Sequence, residues 1–353
     1  VGGVAGGAST AARLRRLSED VEILMIERGG YVSFANCGLP YYVGREVDQW
    51  GSLMITDVSK LHGRFNIDIR IKTEVVAIDR AAKTVTAKDL KTGECSEHAY
   101  DHLVISVGCE AIVPRAIPGI FRNGHFTLKT MEDTAAIDQH IAVAHPSRVV
   151  VCGGGFIGLE IAEQLVKRKF QVSIVEAMDQ VMAPLDFEMA EYIHAVLREK
   201  GVDLHLSDAV SSFEEPESGA YASDVVLKSG ARLPADMVIL ALGVRPSTGF
   251  VAAAGIECTP QGHVRVDDRM RTVTDPAVWA LGDAVEVENA AVGGAETWAV
   301  ALGGPANRQG RICAENIVGK ASAAKFSGER HLLGRAARCL WRCSKSRTTA
   351  SSC

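Results

Sequence analysis

No two of the nine cysteines in this chain stand at C-x-x-C spacing, and none joins a histidine at the spacing of a metal site. A disulfide framework and a zinc centre are therefore not expected, and most of these cysteines should be small buried hydrophobes. The sequence also lacks any apolar run near the roughly 18 residues a membrane span requires, and nothing in it resembles a signal peptide. It lacks a charge excess as well: a net charge of -5 over 353 residues leaves no electrostatic footprint for nucleic acid or acidic lipid. A cytoplasmic location is the default expectation. What remains is ordinary for a soluble globular enzyme, with 47% hydrophobic and 23% charged residues and length enough for two or three domains.

Within that frame one design occurs twice. The first copy is Val1-Gly-Gly-Val-Ala-Gly-Gly7, a helical stretch to Leu17, then an apolar strand from Val21 to Ile26 that ends at Glu27. The second is Arg148-Val-Val-Val-Cys-Gly-Gly-Gly-Phe-Ile-Gly158, a helical pattern from Leu159 to Lys169, then a strand from Val172 to Val175 that ends at Glu176. Strand, glycine turn, helix, strand and acid form the nucleotide-binding βαβ unit. Its first glycine permits the tight turn, its second lets the backbone approach a pyrophosphate, and its third lets helix and strand pack. Amides at the helix start then hold the phosphates, while the acid accepts from ribose hydroxyls. Gly153, Gly155 and Gly158 complete the second copy; in the first, Gly2, Gly3 and Gly7 are present but Val4 takes the middle place.

Elsewhere the period changes. Glu74 to Lys88 and Ala209 to Leu233 alternate apolar and polar residues and predict antiparallel hairpins beside the parallel sheets. Leu103 to Gly108 and Met237 to Gly243 predict short buried strands, Asp186 to Lys200 an amphipathic helix stopped by Gly201, and Ala295 to Asn316 a last helix. The central strand that should feed the first glycine turn is nearly absent. From Ala321 to Cys353 the sequence turns basic and loses its apolar period, which predicts a disordered tail or the product of a truncated or shifted reading frame.

Two dinucleotide units, a cysteine soon after the first, and Thr274-Asp-Pro-Ala-Val-Trp-Ala-Leu-Gly-Asp283 together resemble the flavin-dependent pyridine nucleotide-disulfide oxidoreductases over about Val1 to Lys320. The resemblance implies an α/β fold with two Rossmann-like domains and inserted antiparallel hairpins. An FAD domain would occupy 1–113 and 246–320, an NAD(P) domain 114–245, and an atypical tail 321–353. The C-terminal domain that builds the family homodimer would be missing. Within the family, Ser33-Phe-Ala-Asn-Cys-Gly-Leu-Pro-Tyr-Tyr42 is similar to the single-cysteine branch of coenzyme A disulfide reductases and their polysulfide-reducing relatives.

That resemblance implies roles. Electrons would pass from NADH through FAD to a mixed disulfide between Cys37 and coenzyme A, with Cys37 a thiolate favoured by a helix start and the flavin. Asn36 and Glu160 would assist, although Glu160 also reads as an exposed first-turn glutamate. Gly2, Gly3, Gly7, Glu27, Ser33 and Asp283 would hold FAD, and Gly153, Gly155, Gly158 and Glu176 would hold NAD. Ser9, Arg13, Arg16, Ser33 and Asn36 would touch coenzyme A, a solvated face being the other reading of the arginines. Glu176 favours NADH over NADPH, because its carboxylate would repel a 2′-phosphate and no arginine follows to rescue one. The open alternatives are a polysulfide or persulfide reductase and a flavoprotein fragment without turnover.

Overall fold

Glycine and alanine dominate the first turn of α1 (Ala5–Leu17), and that is why it can run so close beneath its own glycine turn. The computed structural model describes residues 1–216, 222–288, 297–319 and 326. Strand Leu24–Ile26 pairs in parallel with Asp68–Arg70, and Leu103–Ile105 pairs in parallel with Val278–Ala280. Between these two pairs runs Val1–Gly2: the Gly2 amide donates to the Ile26 carbonyl at 2.8 Å, and the Ser106 amide to the Val1 carbonyl at 2.8 Å. The expected central strand is thus represented by two residues that tie both pairs together. Two short helices follow, α2 (Leu39–Val43) and α3 (Val58–Phe65), the latter capped by the Asp57 carboxylate accepting from the Lys60 amide. The hairpin predicted at Glu74 to Lys88 is a three-stranded antiparallel sheet of Thr73–Asp79, Thr84–Asp89 and Cys95–Ala99, its third strand too polar to announce itself.

The second half is a five-stranded parallel sheet in the order Asp203–His205, Gln171–Val175, Arg148–Cys152, Met237–Leu240, His125–Phe126. Its central strands are buried on both faces, so they read as unbroken apolar runs. Val149 and Val151 face one way, into α4 (Met131–Ala144), α5 (Phe156–Lys167) and α6 (Phe187–Glu199). Val150 and Cys152 face the other way, onto Phe213, Val225 and Leu227 of an antiparallel sheet formed by Val210–Glu214, Ser223–Leu227 and Arg232–Ala235. A capping box, Thr130 with Asp133, fixes where α4 starts.

The chain returns along Val244–Pro246, which pairs antiparallel with the outgoing Cys109–Ala111, and continues through α7 (Gly249–Ala253). The last helix, α8, is Gly303–Ile317 and not the longer segment expected from Ala295, because Thr297–Trp298 pairs instead with Val287–Glu288. Small residues let α8 lie on α1: a Cβ on Gly310 would stand 2.7 Å from the Gly6 carbonyl oxygen. No helix among the described residues is long and apolar enough to cross a membrane. The tail predicted for 321–353 lies outside the described residues, apart from Phe326.

α2 packs on the second half as well as on Leu53 and Trp50 of its own half. Arg45 pairs with Asp138 of α4, Glu46 with Lys167 of α5, and Arg168 donates to the Val43 carbonyl. Gly44 makes this approach possible, since a Cβ there would fall 2.0 Å from Gln164 Oε1 and 2.8 Å from its Cβ, and Gln164 is fully buried. Gly44→Ala should therefore destabilise the chain by about 1–3 kcal/mol in denaturant unfolding, and an unchanged midpoint would remove the claim that this contact is tight.

Candidate functional site

The two glycine turns are built on the same set of backbone contacts. Gly2 (φ +93°) and Gly153 (φ +111°) occupy backbone conformations that side chains avoid, and a Cβ would stand 2.1 Å from the Ser106 oxygen or 2.2 Å from the Ala241 oxygen. Gly7 and Gly158 pack on their own turns, where a Cβ would reach the carbonyl oxygens of Gly2 at 1.8 Å and Gly153 at 2.0 Å. The acids close each turn. Glu27 accepts from the Gly3 amide at 2.6 Å and the Gly29 amide at 2.6 Å; Glu176 accepts from the Gly154 amide at 2.7 Å and the Met178 amide at 2.9 Å.

The likeness runs further than the sequence pattern suggested. Six residues past each acid the chain doubles back with a left-handed residue, Ser33 (φ +48°) or Met182 (φ +53°), whose amide donates to the carbonyl of Gly3 or Gly154 at 2.9 Å. The buried valines before them, Val32 and Val181, cover the same glycines. Only the acid and the valine are shared between Glu27–Ser33 and Glu176–Met182, so one valine five residues on was the whole available signal.

At the middle position a Cβ on Gly155 would meet no protein atom within 4 Å, and Val4 stands there in the first copy. The protein itself makes no demand for glycine at that place. Neither α1 nor α5 has a side-chain cap or an acid in its first turn, so both present uncapped amides to the groove outside the turn. Such ends suit an anionic group.

Asp283 follows Gly282, whose amide is held by Gln309 Oε1 at 2.7 Å. Two residues that the sequence reading missed converge on it: Lys129 Nζ at 3.3 Å, from just before α4, and Cys109 Sγ, donating at 3.2 Å. Burial and the Asp283 charge push the Cys109 thiol up to about 11. Burial pulls Lys129 down, but Asp283 and Cys109 outweigh it and leave its pKa above the usual lysine value. Asp283 is thus held between the two halves of the chain.

Cys37 is an exposed thiol in a single 3-10 turn, Asn36–Gly38, and α2 begins two residues later at Leu39. The 3-10 turn runs without a break into α2, so Cys37 stands at the start of a helical segment as expected, although a five-residue helix supplies little dipole. The segment leading to it is pinned by the Ala35 amide on the Leu53 carbonyl and the Ile55 amide on the Ser33 carbonyl.

On the Ser33 side of this segment, α1, α3 and α8 enclose a cavity of about 880 Å³. Of the expected residues, Ser9, Arg16 and Ser33 line it. Asn36 is exposed in the turn outside the lining, and Arg13 is turned to Glu315 on α8 at 2.5 Å. Lys60, Arg64, Arg311 and Asn307 complete the wall, and among the described residues no carboxylate lines it. The Arg16 and Arg64 guanidinium groups lie 5.0 and 5.3 Å from the Phe65 ring centre. These cations were invisible as a group because α3 and α8 are far apart in sequence. A smaller cavity of about 490 Å³, lined by Phe121, Arg122 and His140, holds none of the expected residues.

Glu160 sits in α5, half-buried, and burial followed by the Glu163 charge pushes its pKa up to about 7. A carboxyl group whose folded pKa exceeds its unfolded value of 4.5 favours folding while protonated, so its contribution is lost as pH rises from 4.5 through about 7. Thermal melts of Glu160→Gln should gain on the unsubstituted chain across that window and hold a constant difference above it. A difference independent of pH would show that Glu160 titrates normally.

Comparison with known proteins accords with this geometry. A coenzyme A disulfide reductase of Staphylococcus aureus is 31% identical over 328 residues, which are 93% of this chain and 72% of that protein. The reduced CoADR-RHD structure of Bacillus anthracis superposes with a TM-score of 0.87 at 44% identity, and an NAD-dependent persulfide reductase of A. fulgidus with 0.85 at 36%. This chain is covered to 93% and 91% in those two superpositions and spans 57% and 59% of the two solved chains. The family model described as pyridine nucleotide-disulphide oxidoreductase matches residues 1–304, and the chain belongs to that family.

Proposed function

We propose that this chain carries the nucleotide- and thiol-handling part of an NADH-dependent flavoprotein that reduces coenzyme A disulfide through Cys37. The observation that carries the reading is the cavity beside the Cys37 segment. It offers Arg16, Lys60, Arg64 and Arg311 with no carboxylate among its described lining, beside the hydroxyls of Ser9 and Ser33. A disulfide of coenzyme A brings phosphate groups that pair with such cations. An inorganic polysulfide, the reading suggested by the persulfide reductase, would leave most of that wall without a partner.

The first glycine turn fits FAD. The uncapped α1 terminus would meet the pyrophosphate, Glu27, fixed by two amides, keeps lone pairs for ribose hydroxyls, and Asp283 would take the ribityl chain. Bound there, FAD supplies hydride acceptance from nicotinamide and two-electron delivery to sulfur. The second turn, with Glu176 fixed in the same way and Ala177-Met-Asp-Gln180 carrying no cation, suits NADH. Glu160, with its pKa near neutrality, can hold or release a proton close to the α5 terminus.

Cys37 then performs thiol–disulfide exchange. Its thiolate attacks one sulfur of coenzyme A disulfide, the S–S bond breaks, and one coenzyme A leaves as thiolate while a Cys37 mixed disulfide forms. Two electrons returned to that bond free the second thiol and restore the Cys37 thiolate. Asn36 adjoins Cys37 in the chain and Ser33 lines the cavity, where the cations would hold the remote phosphates so that binding energy aligns the reacting sulfurs.

An anaerobic absorbance titration tests this. NADH should bleach the flavin band, coenzyme A disulfide should restore it with release of thiol, and Cys37→Ser should bleach but not recover. A flavin that stays bleached in the unsubstituted chain would end the disulfide reading. The double substitution of Arg16→Gln and Lys60→Gln should raise KM for coenzyme A disulfide about tenfold and leave polysulfide turnover unchanged. Equal effects on the two substrates would favour the polysulfide reading.

A further inference from the structure

His194 of α6 is fully buried, and both of its ring nitrogens are engaged. Nε2 accepts from the Val181 amide at 3.1 Å, and Nδ1 lies 2.7 Å from Glu191 Oε1. A backbone amide can only donate, so Nε2 must be the unprotonated nitrogen. Its proton then sits on Nδ1, where the half-exposed Glu191 carboxylate accepts it.

Val181 is the residue that covers the second glycine turn. A Cβ on Gly154 would stand 2.8 Å from Val181 Cγ1 and 3.3 Å from Glu176 Oε2, so the valine side chain and the acid border the same glycine. The next amide, Met182, donates to the Gly154 carbonyl at 2.9 Å. Two consecutive amides thus stitch the loop after Glu176 down, one to the turn and one to His194. In the first copy Ser33, the equivalent of Met182, makes the same bond to Gly3, but the rest of its loop is held by backbone: the Ser33 carbonyl accepts from the Ile55 amide at 3.0 Å, and the Ala35 amide donates to the Leu53 carbonyl. The second copy has a single imidazole where the first has a short strand pairing.

We infer that His194 is a positioning residue for the dinucleotide site: through the Val181 amide it holds the loop that keeps Glu176 and the Gly154 amide in register. This rests on the reading of the second glycine turn as the NADH site. Gln at position 194 can present an acceptor where Nε2 stands, whereas Asn places its oxygen near Nδ1 and cannot reach Val181.

Calorimetric titration of the full chain with NAD+, alongside FAD binding followed by flavin fluorescence, tests it. His194→Asn should weaken NAD+ binding about fivefold, the effect of one lost hydrogen bond, with FAD affinity unchanged, and His194→Gln should stay within about twofold of the unsubstituted chain. Unchanged NAD+ binding in His194→Asn, equal losses in both variants, or a parallel loss of FAD affinity would each overturn the inference. If His194→Asn does not fold, Glu191→Ala is read in its place, because it releases the imidazole to the other tautomer; weaker NAD+ binding supports the role and unchanged binding overturns it. Failure of the unsubstituted chain to bind NAD+ would instead bring down the nucleotide reading of the turn, and this inference with it.

Discussion

A carboxylate accepting from a glycine amide is the contact on which both halves of the chain depend. Glu27 on Gly3 and Glu176 on Gly154 each bridge the end of one strand to the turn that follows another. The bond is charge-assisted and partly buried, and each carboxylate spends its second oxygen on another amide two residues on. Held by two amides apiece, the acids tie the loop after each strand to the glycine turn at the mouths of both grooves. Preorganisation of this kind spares the ligand the cost of ordering the loops itself.

How much of this could be read in the sequence follows from which interactions are local. Strand, turn, helix and acid lie within about 30 residues, and their period and glycines spell them out. Residues Glu160 and Asp283 were marked by the family resemblance, Glu160 at its place after the second turn and Asp283 at the end of the Thr274 to Asp283 motif. The Lys129 ammonium was not marked by anything, because its partners, Asp283 and Cys109, come from distant segments that only the fold brings together. The cavity cations have the same history: Arg16, Lys60 and Arg311 sit on three helices, and each alone reads as a solvated charge. Arg13 shows the converse, since it shares a face of α1 with Arg16 in the sequence pattern and yet is turned to Glu315. Local pattern identifies a helix face, whereas packing decides which members of that face turn toward a cavity.

The position of α2 adds a constraint that pairs of sheets alone would not impose. This helix follows Cys37 in the chain but is held by α4 and α5 of the other half, through two ion pairs and the close approach at Gly44. The exposed ion pairs contribute little by themselves. The tight apolar contact stabilises the arrangement more, since Leu39, Tyr42 and Val43 are buried in the same cluster as Ile161 and Leu165. The thiol is therefore carried by one half and braced by the other, and Lys129 on Asp283 makes a second tie across the same boundary.

The two copies of the unit also explain how the fold comes to present a thiol. Cys37 and Asp186 stand equally far, ten residues, beyond their acids, after the same valine and the same left-handed residue. In the second copy the chain goes straight into a long helix, with Asp186 as the residue before its first turn. In the first copy a 3-10 turn comes first and α2 is only five residues long, so Cys37 sits within that turn where Asp186 is the residue before a long helix; both positions are exposed. One scaffold thus serves two ends. The α6 helix starts one residue after Asp186 and α2 two residues after Cys37, so the first-copy helix begins one residue later along the same loop. The difference lies in Gly38 and Pro40: the glycine fits under Leu53, where a Cβ would stand 2.8 Å from Cδ2, and the proline is confined to the first turn of a new helix.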